Sequence, residues 1–193
     1  MTIALPKQRM KVSEFLAWAE AQPQGRYELV NGEVRVMAPE RVRHNLVKLA
    51  VARALEDAVK RANLPCTVFT DGVGIVINEN TVREPDASVQ CGGKLNLDSM
   101  TIDAPLIVVE AASPSSERHD THGMLVDYFS VQSIRHYVVV LPEQDVVVHY
   151  RRSDEGALDT RIGRDGAIDF TPPGMTVPVA DLLGPSPGDV AEA

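Results

Sequence analysis

Positive charge, aromatic rings and cysteine are all scarce in this chain, and each shortage argues against a class of function. Nineteen Lys and Arg stand against 27 Asp and Glu, a net charge of -8. That balance opposes loose attachment to nucleic acid or an anionic membrane, because phosphate contacts need clustered cations. One Trp, four Tyr and four Phe leave few platforms for stacking unpaired bases. The two cysteines, Cys66 and Cys91, have neither a CxxC nor a Cys/His spacing. Neither a zinc site nor a disulfide framework is expected from them, and two reduced thiols suit the cytoplasm. No stretch approaches the roughly 18 apolar residues of a membrane span, and MTIALPKQRMKVSEF has no signal-peptide core. A soluble, cytoplasmic protein is the expectation. A Gly-rich phosphate loop, a GxSxG elbow and a Ser/His/Asp set are all missing, which leaves a small-molecule enzyme without support.

The 193 residues suit one domain, taken here as residues 1–183, with GPSPGDVAEA at 184–193 as a frayed tail. In KVSEFLAWAEA, Val12, Phe15 and Leu16 recur at helical spacing, with Ser13 as the expected N-cap. YELV and EVRVM flank Asn31-Gly32, the strongest two-residue hairpin signal. From Val42 to Arg61 the apolar positions Val47, Val51, Ala54, Leu55, Ala58 and Val59 mark one face of a long helix that Asn63-Leu64-Pro65 ends. CTVFT, VGIVIN and DASVQ read as strands, residues 91–104 as a loop, and LIVVE as a short buried central strand. Met124, Leu125, Tyr128 and Val131 predict a helix over residues 119–131. RHYVVVL and DVVVHYR then flank a turn at Pro142-Glu143-Gln144, and weaker strand signals run to Phe170. The order predicts a mixed α/β fold with helices laid against a sheet.

LIVVE ends on a carboxylate, Glu110, and DASVQ begins on another, Asp86. Strand ends are where α/β folds expose functional groups, so two such acids on neighbouring strands would suit a hard cation such as Mg²⁺ or Mn²⁺. The ordinary reading stands beside it: Pro85-Asp86 starts a turn, and Glu110 is where a strand meets solvent. A pair of acids is not specific enough to decide between them.

The ordered set YELVNGEVRVMAP, His44 on the next helix, REPDASV, APLIVVEAASPSS, a Tyr-bearing helix and HYVVVLP resembles the Uma-two family of restriction endonucleases over about residues 12 to 183. The resemblance implies a restriction-endonuclease-like core of the PD-(D/E)xK superfamily, a mixed sheet flanked by helices, with one or two divalent metals, Mg or Mn. It makes Asp86 and Glu110 metal ligands, adds the carbonyl of Ala111, and places Glu28 and His44 beside the metal as further catalytic candidates. Without it, Glu28 is a solvent-facing hairpin residue and His44 a surface or capping histidine. It further implies DNA as substrate and, by analogy with nucleases that pair to cut both strands, a homodimer.

The chain departs from the family at one point. The superfamily lysine, two residues after the second acid, corresponds here to Ala112. The family's alternative, four residues before the tyrosine Tyr128, corresponds to Met124. No lysine follows Lys94. Methionine offers no charged hydrogen bond. Lys48, His119, His122 and Arg118 are the replacements in reach, although each reads first as ordinary surface. The departure opens a second reading: a catalytically degenerate module that dimerises or binds nucleic acid.

Overall fold

The computed structural model describes residues 5–22, 24–112 and 121–185. Helix α1 (Val12–Glu20) leads into the hairpin of β1 (Tyr27–Val30) and β2 (Glu33–Val36). Asn31 and Gly32 both take positive φ, 52° and 81°, as a two-residue primed turn requires. The cap of α1 is not Ser13. The helix starts at Val12 with Lys11 at the N-cap, and the Glu14 carboxylate accepts the Lys11 backbone N–H at 2.8 Å. The acid at the third helical position thus supplies the reciprocal half of a capping box, binding the N-cap N–H, while the N-cap itself offers no side-chain acceptor.

Helix α2 (Val42–Arg61) is followed by β3 (Cys66–Thr70), β4 (Gly74–Asn78), β5 (Thr81–Arg83), β6 (Ala87–Cys91), β7 (Thr101–Ile102) and β8 (Pro105–Ala111). Then come α3 (Thr121–Ser130), β9 (His136–Leu141), β10 (Val146–Arg152), β11 (Leu158–Gly163), β12 (Ala167–Phe170), β13 (Met175–Pro178) and α4 (Val179–Leu183). Among the described residues these form sheets in the orders β2-β1-β5-β4-β7, β11-β10-β9-β8-β6-β3 and β12-β13. The expected mixed α/β class is the one observed. β5, β7, β13 and α4 were not expected, being too short for periodicity to register. Residues 113–120 and 186–193, which carry the start of the expected α3 and most of the expected tail, lie outside the described residues.

β8 is apolar on both faces because it sits between β6 and β9 and is covered on each side. The whole stripe predicted on α2 is buried, and it packs over Ala87, Val89, Ile107, Val109 and Ala111. Completely burying a residue such as Leu55, which is 0% exposed, contributes about 1.5–3 kcal/mol. On the other face Val108 joins Ile75, Tyr128, Ile134, Tyr137 and Val139 in a second cluster. Strand alternation therefore sends Ala111 toward α2 and Glu110 toward α3.

The thiol expectation is corrected. Cys66 and Cys91 face each other in the β3–β6 register and are joined in a disulfide. Their 25-residue separation hid this, since antiparallel pairing of two strands is not visible in cysteine spacing. The thiol argument for a cytoplasmic location falls with it. No helix among the described residues is long and apolar enough to cross a membrane.

Candidate functional site

Three segments feed one cluster. β6 and β8 run antiparallel with Ala87 opposite Val109, and continuing that register by one residue sets Asp86 level with Glu110. The link is direct: Asp86 Oδ2 accepts the Ala111 backbone N–H at 2.7 Å. The other oxygen, Oδ1, faces α2, with His44 Nε2 and Lys48 Nζ each at 3.5 Å. His44 and Lys48 are four apart, so one helix face presents both to the same carboxylate.

Lys48 is not surface. Its side chain is 5% exposed, and its ammonium donates to Glu40 Oε1 at 2.6 Å and to Asp71 Oδ2 at 2.5 Å. Burial disfavours that charge, but the hydrogen bonds it donates to Asp71 and Glu40 and the nearby Asp86 outweigh it and raise the Lys48 pKa. Asp71 moves the opposite way. Burial would raise its pKa, yet Lys48 and Arg26, whose Nη1 lies 2.7 Å away, hold the carboxylate below its ordinary range. Arg26 also donates through Nε to Glu84 Oε1 at 2.9 Å. His44 is raised above its ordinary value, chiefly by its contact with Asp86 and against its own desolvation.

On the α3 side the Tyr128 hydroxyl donates to Glu110 Oε1 at 2.5 Å. Burial, then the Asp86 charge, push the Glu110 carboxyl well above the usual carboxylate range, and the Tyr128 bond opposes them. Burial and Glu110 in turn push the Tyr128 phenol up. Glu28 is close enough to add to the rise at Glu110. Its own Oε1 accepts the Glu84 backbone N–H at 2.9 Å, and its Oε2 lies 3.8 Å from Arg83 Nη1. Burial raises the Glu28 carboxyl, with that N–H and Arg83 opposing. Arg83, 2% exposed, ties Glu28 to α3 by donating to Asp127 Oδ2 at 2.9 Å from Nε and 2.6 Å from Nη2.

Asp86, Glu110, Ala111, His44 and Glu28, the residues singled out from the sequence, are thus gathered around one strand pair. Glu40, Asp71 and Arg26 were not singled out. Asp71 lies just after the CTVFT run and Glu40 between a proline and a helix start, neither with a periodic signal to mark it. One ligand atom each from Glu40, His44 and Asp86 lie within 4.8 Å of one another. Carboxylate oxygens with one imidazole make a donor set that suits Mg²⁺ or Mn²⁺, so the residues fit such an ion. A groove of about 1000 Å³ opens beside them, lined by Arg26, Tyr27, Glu40, Val42, Leu46 and Asp71 among others. Asp86 and Glu110 do not line it. Of the other replacements considered for the lysine, Arg118 and His119 lie outside the described residues and His122 is exposed. Met124 is half-buried and packs against the Tyr128 cluster.

The profile of the Uma2 family, described as "Putative restriction endonuclease", matches residues 12–180. An uncharacterized protein of Synechocystis sp. is 23% identical over 152 residues, 78% of each chain. A crystal structure titled as a putative nuclease of DUF820 from Anabaena variabilis superposes with a TM-score of 0.67 at 16% identity. It covers 90% of this chain and 97% of that one, which establishes a shared fold.

Proposed function

This chain belongs to the Uma2 family, and from that premise we propose that it is a divalent-metal-dependent endonuclease that hydrolyses DNA phosphodiester bonds. The observation that carries the reading is that Asp86, one residue before β6, comes level with Glu110 of β8, its carboxylate accepting the N–H of Ala111, the residue after Glu110. Burial first, and the Asp86 charge second, disfavour the charged Glu110 carboxylate, and a cation joining the two acids would relieve the second of these. In this reading Asp86, Glu110 and the Ala111 carbonyl hold Mg²⁺ or Mn²⁺, with His44 and Glu40 on the far side of Asp86. When bound, such an ion would ease ionisation of water and offset charge on the phosphate.

The chain's own residues do the remaining work. Tyr128 orients Glu110 from α3, Ala111 N–H orients Asp86, and Arg83 holds Glu28 beside them. In the reaction the hydroxyl of a water joins phosphorus, one ester bond of phosphorus breaks, and the water's proton ends on the departing oxygen. The same reading carries one domain over residues 1–183 and paired copies of the chain when both strands are cut.

Nicking of supercoiled plasmid and of single-stranded DNA with Mg²⁺ or Mn²⁺ tests it, with Asp86→Ala and Glu110→Ala beside the unaltered chain. Cleavage abolished in both variants is the expected result. Mn²⁺ binding without any cleavage would favour the degenerate binding module, the reading that Met124 opens.

A further inference from the structure

We propose that Lys48 supplies the cation that faces the scissile phosphate, doing from α2 what a lysine at the position of Met124 would do from α3. The inference rests on the nuclease reading and assigns one further residue to it. Hydrolysis of a phosphodiester piles negative charge on the attacked phosphate, and a preorganised cation aimed at that charge is the largest single aid a site can offer. The chain has no lysine beyond Lys94, so a lysine must come from the first half.

Lys48 fits for three reasons. Burial of a lysine ammonium is costly and persists only where partners hold it, and Lys48 is 5% exposed on the helix face that looks at Asp86. Glu40 and Asp71 take two of its three N–H donors at 2.6 and 2.5 Å, which fixes the head group in place. Asp86 Oδ1 stands 3.5 Å away, beyond a good hydrogen bond. The third donor therefore keeps capacity for an oxygen brought up against Asp86, and a phosphate oxygen or the attacking water is such a group. Glu40 and Asp71, the two carboxylates that hold this ammonium, also line the groove beside it.

A role confined to neutralising Glu40 and Asp71 would show in folding, whereas a role at the phosphate would show in turnover. The test compares Lys48→Met with the unaltered chain on supercoiled plasmid in Mn²⁺, with melting temperature and Mn²⁺ affinity measured on the same samples. The expected result is a fall in kcat of about 100-fold, Mn²⁺ affinity within about twofold, and partial recovery of cleavage on adding Met124→Lys. Should Lys48→Met unfold at the assay temperature, Lys48→Gln, which can still donate to Glu40 and Asp71, is read by the same measures. Cleavage undiminished in the folded variant, or diminished only in step with Mn²⁺ affinity, overturns the role of Lys48 and leaves the nuclease reading standing. No cleavage by the unaltered chain overturns both.

Discussion

Tyr128 and Glu110 come from different layers, α3 and the central strand β8, and the phenol donates a 2.5 Å hydrogen bond to the carboxyl. Tyr128 is 0% exposed, and Tyr128→Phe would leave a half-buried carboxyl without this donor. A loss of about 1–3 kcal/mol in urea denaturation is expected. Since the bond opposes the rise in the Glu110 pKa, its removal should move that carboxyl further up. An unchanged unfolding midpoint would show that the contact contributes nothing.

Glu110→Gln separates stability from binding. The neutral amide keeps the shape while removing a charge disfavoured by burial and by Asp86, so stability should hold or rise slightly. Divalent-ion affinity should fall by at least about tenfold, the loss that even outer-shell substitutions produce. Calorimetric titration with Mn²⁺ checks it: equal affinities would remove Glu110 from the ligand set.

His136 and His149 lie outside the acidic cluster, stacked 5.2 Å apart between β9 and β10, with Nδ1 and Nε2 2.9 Å from one another. Burial lowers each pKa from 6.5 to about 4. Above pH 6.5 both states hold the rings neutral. Below it the unfolded chain takes up protons that the folded one refuses, so stability falls from about pH 6.5 down to about pH 4 and then levels off. One histidine alone corresponds to on the order of 3 kcal/mol. Denaturant titrations between pH 7.5 and 4 should show the decline, shallower in His149→Gln. A flat profile would contradict the neutral buried pair.

Arg83→Met should be costly although no ligand touches it in the proposed reaction. It would strand Asp127 and Glu28, both mostly buried, without their shared guanidinium. A loss of about 3–5 kcal/mol is expected by thermal or chemical unfolding, as for other broken buried pairs. A loss under about 1 kcal/mol would mean that solvent already screens both acids.

Local pattern was enough for the hairpin at Asn31-Gly32, the buried stripe of α2 and the central position of LIVVE, because turn chemistry and apolar periodicity act within a few residues. Asp86, Glu110, Glu28 and His44 were marked by motif order and family likeness, since nothing in a lone acid or histidine distinguishes a site from a surface. Sequence reading missed what depends on residues far apart in the chain. The Cys66–Cys91 bond needed β3 and β6 to pair, and the burial of Lys48 needed Glu40, Asp71 and Asp86 to converge on it. A lysine on a helix reads as solvated because its charge is costly to bury. Only when the tertiary fold brings three carboxylates to one point does burying that charge become favourable.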